Sequence, residues 1–187
     1  MIIKKPLLFW LCIFIFIKIH SQNNFKVYDS IAKNHSLKVN DIFVDSLLNL
    51  SINESLITQK ISHKYSIILY KKGNFVKAIK YAKIEVESFN NSKINNKKYT
   101  NSLYNLGRFY YNNLQFDKAI KNYKKVVELN NYPKRVGQAY GELGRCYKRK
   151  NELYKSVIYF KKGISILENL KEYKSLFSQY INLAITY

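Results

Sequence analysis

Cysteine, proline, glycine and acidic side chains are all scarce in this chain of 187 residues, and each scarcity closes off a class of protein. The two cysteines, Cys12 and Cys146, are too few for a disulfide-stapled fold. Two prolines and six glycines exclude collagen-like and Pro-rich low-complexity chains and leave few interruptions for a protein of short strands and turns. Acidic residues number 12. The one close pair, Glu85 and Glu87, stands two apart and so points to different sides of a helix, which leaves no acid–base dyad. The histidines His20, His35 and His63 are scattered, with no Cys, Asp or Glu beside them at ligand spacing, so no zinc site is expected. No His is placed to activate a Ser or Cys nucleophile. Gly137, Gly141 and Gly144 are spaced as one helix face and lack both a preceding strand and the Gly-Lys-Ser/Thr ending of a phosphate loop. The sequence therefore predicts no catalytic residues, no metal and no cofactor.

What is abundant is apolar and basic. Hydrophobic residues make up 47% and aromatics 16%, enough buried surface to offset chain entropy in a globular fold. Lys and Arg number 32, giving a net charge of +20, which raises the question of an anionic partner. The cations are 28 Lys and 4 Arg, accompanied by 21 Asn, 22 Ile and 17 Tyr, all residues with A/T-rich codons. Genome composition thus accounts for much of the charge, and no nucleic-acid partner is expected.

The N-terminus has the layout of a secretory signal peptide over residues 1–21. Lys4 and Lys5 precede an unbroken apolar run of 11 residues, Leu7 to Ile17, followed by Lys18 and Ser21. A bilayer span needs about 20 apolar residues, so the run is too short to be one. The expectation is an exported protein of a bacterial periplasm or cell envelope. It would touch membrane only through the signal segment or a downstream helix. Cleavage after Ser21 removes three lysines and leaves 29 basic and 12 acidic residues, a net of +17, with Cys146 as the single thiol.

The remainder repeats itself. Leu103, Leu106, Gly107, Tyr110, Phe116, Ala119, Tyr123 and Val126 recur at the same spacings as Tyr140, Leu143, Gly144, Tyr147, Leu153, Ser156, Phe160 and Gly163. Each copy reads as two helices with a break at Asn112 to Gln115 or Lys150 to Glu152. A weaker copy centres on Ser66, with Tyr65, Leu69, Phe75 and Ala78 in place, Gly73-Asn74 in its turn, and Ala82 where an aromatic is expected. A fourth begins with Tyr180, Leu183, Ala184 and Tyr187. The anchors Ser66, Gly107, Gly144 and Ala184 lie 41, 37 and 40 residues apart. A small residue at each anchor lets two helices cross closely. The Tyr or Leu three residues on, and the Ala or Ser twelve on, are the expected knob and hole.

These residues resemble the tetratricopeptide repeat, a helix-turn-helix unit with Leu-Gly, then Tyr, then Ala and an aromatic. The resemblance implies an all-α solenoid of such repeats. Its divisions are a degenerate helical cap over 22–58 with Asp41 as an N-cap, a divergent repeat over 59–91, repeats over 100–133 and 137–170, and a first helix over 174–187. Packing falls to Leu106, Gly107, Tyr110, Ala119 and Tyr123, and to Leu143, Gly144, Tyr147 and Phe160. In such arrays the first helices line a groove that binds a protein or peptide. The outward groove positions would be Lys60, His63, Lys64, Ile67 and Tyr70, then Asn101, Tyr104, Asn105, Arg108 and Tyr111, then Gln138, Glu142, Arg145 and Lys148, and finally Asn182. Arg108 and Arg145 share one register, so a carboxylate of an acidic partner would satisfy both.

Tyr180 to Tyr187 stops inside a first helix and leaves Ile181, Leu183 and Ile185 without a covering helix. The expectation is a chain that continues, or one that self-associates through this uncapped helix. An exported array of this composition resembles the N-terminal sensor part of Bacteroidetes-type signalling proteins, where it precedes a membrane helix and a histidine kinase or regulator. The alternative is a small secreted adaptor with no output domain.

Overall fold

The computed structural model describes residues 41–50, 55–89 and 96–187. Eight helices run through them: α1 (Asp41–Leu50), α2 (Ser55–Lys71), α3 (Phe75–Glu87), α4 (Lys97–Asn112), α5 (Phe116–Leu129), α6 (Pro133–Arg149), α7 (Leu153–Asn169) and α8 (Tyr173–Ala184). The signal segment, 1–21, and residues 22–40 of the expected helical cap lie outside the described residues. None of the described helices is long and apolar enough to cross a membrane.

Local chemistry sets the boundaries. The side chain of Asn74 accepts the Lys77 backbone N–H at 3.2 Å and opens α3, and Asn96 accepts that of Tyr99 at 2.9 Å and opens α4. Pro133 opens α6 at a position whose N–H would have no helical partner. Three-residue turns join α2 to α3, α4 to α5 and α6 to α7. Each contains one left-handed residue at the same register: Gly73 (φ 76°), Leu114 (φ 59°) and Asn151 (φ 60°).

The pairs α2/α3, α4/α5 and α6/α7 pack tightly, and each second helix packs in turn on the next first helix. First helices also touch one another, α4 with α6 and α6 with α8, which curves the array with those helices on one side. A Cβ on Gly107 would lie 2.8 Å from the Tyr123 ring, and one on Gly144 would lie 2.8 Å from the Phe160 ring. Both rings are fully buried. The aromatic that crosses each anchor glycine is therefore the one sixteen residues on, and not Tyr110 or Tyr147 as the spacing suggested. Tyr147 instead stacks flat on Tyr159, with centroids 5.1 Å apart. The hole twelve residues on is occupied as expected: Ala119 and Ser156 are fully buried, and the Ser156 hydroxyl donates to the Gly144 carbonyl at 2.8 Å. On α6, Gly137 faces Leu167, Gly141 faces Gln179 and Gly144 faces Phe160, so the glycine stripe admits helices α7 and α8 closely.

Helix α1 is fastened to the first pair through its acids. The Tyr65 hydroxyl donates to Asp41 at 2.8 Å and the Tyr81 hydroxyl to Asp45 at 2.9 Å. Lys77 pairs with Asp41, and Lys80 with Asp45 at 2.8 Å. Asp41 therefore anchors α1 to its neighbours. The hydrogen bond from Lys77, aided by Tyr65, holds its carboxyl below the usual range against the effect of burial.

Candidate functional site

The first helices carry most of the polar chemistry, and a repeated stack organises it. The guanidinium of Arg108 lies over the Tyr70 ring at 5.1 Å, and that of Arg145 lies over Tyr111 at 4.5 Å. In each case a Tyr four residues past one anchor meets the Arg one residue past the next. Arg135 covers Tyr104 in a third stack, at 4.6 Å. Such contacts contribute about 0.5–2 kcal/mol, more as water is excluded, so the stacks tie successive repeats together.

Hydrogen bonds extend this inner face across three helices. Arg135 donates to Asn101 on α4 and, at 2.7 Å, to Gln138 on its own helix. The Gln138 amide then donates to Ser175 of α8 at 2.9 Å. Lys134 pairs with Glu172 at 2.8 Å. Between α4, α6 and α8 lies a cavity of ≈ 420 Å³, walled by Tyr104, Gln138, Glu142, Arg145, Ser175 and Asn182 among others. Its charge is internally compensated in part. Arg145 donates to both Glu142 oxygens, at 2.9 and 3.2 Å. Burial raises the Glu142 carboxyl above its usual range, against the opposing pull of Arg145, Arg108 and the Tyr104 hydroxyl.

The expected groove residues divide on this geometry. Tyr104 and Arg145 line the 420 Å³ cavity. Lys60 lines a second cavity of ≈ 280 Å³ between α2, α3 and α4. Lys64, Asn105, Arg108, Tyr111 and Lys148 line neither. Tyr104 and Asn105 are buried, 7% and 9% exposed, and so are not the outward positions that helical spacing suggested. Tyr104 is held under Arg135 and edge-on to Tyr123. Arg108 and Arg145 do recur in register, but the carboxylate beside them is the chain's own Glu142, and Tyr70 accepts from Arg108 at 3.4 Å.

Several contacts escaped the sequence reading. Arg135 and Ser175 were passed over, and the network they join depends on helix order. Glu142 and Arg145, three apart on one face, carried a visible pairing signal. His63 of α2 and Glu85 of α3 meet at 3.0 Å although 22 residues separate them, and Ser102 of α4 donates to the same Glu85 oxygen at 2.5 Å. The hydrogen bond with Glu85 raises the His63 pKa above its usual value, against burial. The carboxylate stands between His63 and Ser102, so the imidazole accepts nothing from the hydroxyl and the three do not form a nucleophilic triad. The fully buried Cys146 thiol is pushed up to about 12 by burial, which leaves it protonated and inert. Among the described residues no group of three or more His, Cys, Asp and Glu is placed to hold a metal.

Residues 100–132 and 137–174 each match a family model of the tetratricopeptide repeat. No curated protein matches the chain. Among solved structures, BtubC (BKLC) from P. vanneervenii is similar at TM-score 0.70 and 17% identity, over 86% of this chain and 68% of that one. A signal transduction ATPase with numerous domains and a tetratricopeptide repeat sensor, from Pyrococcus horikoshii, is similar at TM-score 0.73 and 17% identity. That match covers 89% of this chain and 27% of the ATPase. At such identities the likeness concerns the fold, and the fold is typically an interaction scaffold. The chain carries tetratricopeptide repeats within an all-α solenoid.

Proposed function

We propose that this protein is a non-catalytic scaffold that binds a protein or peptide of acidic character along the inner face of its first helices. The observation that carries this is the continuous polar wall from Asn101 through Arg135 and Gln138 to Ser175, beside a cavity of ≈ 420 Å³. Arg108, Lys134, Arg135 and Arg145 outnumber Glu142 and Glu172 on that face, so an anionic segment is attracted and a cationic one repelled. An array of Asp/Glu-rich, neutral and Lys-rich peptides tests it. The acidic set should be retained by the full chain, and R108A with R145A should weaken retention by at least about tenfold, or 1.4 kcal/mol. Equal retention of all three sets would contradict the reading.

The scaffold is further proposed to act in a bacterial envelope, as the sensory or interaction portion of a larger signalling protein. The signal-type N-terminus, with its Lys4-Lys5 and Leu7 to Ile17 run, supports export. The likeness to the sensor-bearing ATPase supports a sensory use of the repeats. Protein recovered from a periplasmic fraction should begin at Gln22. Recovery of uncleaved chain in the cytoplasm alone would count against export.

A further inference from the structure

We propose that Glu142 is the specificity-determining residue of the inner face: its carboxylate fills the seat that an acid of the bound segment takes, so the partner must displace it. This assignment rests on the reading of that face as a site for acidic segments. Three groups from two helices converge on the one carboxylate. Arg145 of α6 donates to both its oxygens, at 2.9 and 3.2 Å, while from α4 the Tyr104 hydroxyl adds a hydrogen bond and Arg108 attracts it. Two guanidinium groups and a hydroxyl around a carboxylate recognise a partner's acid as well as they recognise the chain's own. The seat also keeps its shape without Glu142. Tyr111 holds Arg145 and Tyr70 holds Arg108 by ring stacking, at 4.5 and 5.1 Å, independently of the carboxylate.

Glu142 is held there weakly and can leave. Burial raises its carboxyl above the usual range although Arg145, Arg108 and Tyr104 all act to lower it, so these partners do not fully offset its desolvation. The pair is within reach of a ligand: the Glu142 side chain is 16% exposed, that of Arg145 is 39% exposed, and both line the cavity of ≈ 420 Å³. Rotation about side-chain bonds is enough to move Glu142 off the guanidinium, with no change in the backbone. Lys174 of α8 lines the same cavity, is exposed and makes no ion pair among the described residues, so a cation is at hand for the displaced carboxylate. Glu172, the other acid on that wall, differs. It pairs with Lys134 at 2.8 Å and with neither stacked arginine.

Fluorescence anisotropy of a labelled Glu-rich peptide, titrated with the full chain and its variants, tests the proposal. E142Q, which keeps the shape of the side chain and removes its charge, should bind the peptide at least about tenfold more tightly than wild type. E172Q removes one charge from the same cavity without opening the seat, and should gain no more than about threefold. Adding R145A to E142Q should abolish the gain, because the seat is then gone. Thermal melts establish that the variants fold, and if E142Q does not, E142A takes its place. An affinity of E142Q equal to or below that of wild type would overturn the proposal while leaving the acidic-partner reading intact. Equal gains in E142Q and E172Q would overturn it in favour of a general effect of charge. Binding by neither wild type nor E142Q would instead overturn the acidic-partner reading, and the proposal with it.

Discussion

The first helix pair and the two that follow solve the same packing problem by different means. In α4/α5 and α6/α7 a bare glycine receives an aromatic ring, Gly107 under Tyr123 and Gly144 under Phe160. In α2/α3 the matching positions are Ser66 and Ala82, and neighbouring Tyr81 is fully buried in the pair. Tyr81 lies edge-on to Tyr65 at 4.7 Å, and both hydroxyls reach acids of α1. The later pairs are thus fitted chiefly by shape, with one buried hydrogen bond, from Ser156 to the Gly144 carbonyl, added in α6/α7. The first is fitted by shape plus a polar fastening, and α1 supplies what the pair lacks. Close helix crossing in this array needs a small residue and a ring, and the ring can come from an adjacent position if its hydroxyl finds a partner.

The largest effect should come from breaking the shape-fitted contact. Phe160→Ala should cost about 3–5 kcal/mol in denaturant unfolding, the usual range for deleting a buried ring. Tyr123→Phe sharpens the point, since the Tyr123 hydroxyl is buried without a partner: it should be neutral or slightly stabilising, where Tyr81→Phe should be destabilising. Breaking the polar fastening should cost less: Asp45→Ala, which orphans the buried Tyr81 hydroxyl, should lower stability by about 1–3 kcal/mol. Leu114→Gly should raise the melting temperature, because Leu114 holds the left-handed turn position that Gly73 fills in the first pair, at a cost of about 1–2 kcal/mol for a side-chain-bearing residue.

The smallest effect is a pH dependence confined to the first pair. The His63 pKa is raised in the fold, so its ion pair with Glu85 stabilises fully below the unfolded value of about 6.5 and fades as pH rises through the higher folded value. Wild type should therefore lose stability on going from pH 6 to pH 8 relative to His63→Gln, and parallel pH profiles for the two would contradict the pairing.

Much of this architecture was legible because close crossing imposes small residues at fixed intervals. Gly107, Gly144, Ala119 and Ser156 announce the repeats, and Asn112 to Gln115 and Lys150 to Glu152 announce the turns. The partner of each glycine was not legible, since Tyr110 and Tyr123 are equally aromatic and only the crossing geometry distinguishes them. The inner face was half legible. Arg108 and Arg145 stand in register in the sequence, but their stacking on Tyr70 and Tyr111 depends on how one repeat is set against the next. His63 and Glu85 come from different helices, and no spacing rule links residues 22 apart across a turn.

The central claim is that the first helices form the binding face. Amide chemical-shift mapping of the full chain with a Glu-rich peptide tests it most directly. Signals of α4, α6 and α8 around Asn101, Arg108, Gln138, Arg145 and Ser175 should move in a saturable way. Shifts confined to the lysine-rich second helix α5, around Lys118, Lys121 and Lys125, would show attraction to surface charge and contradict the account.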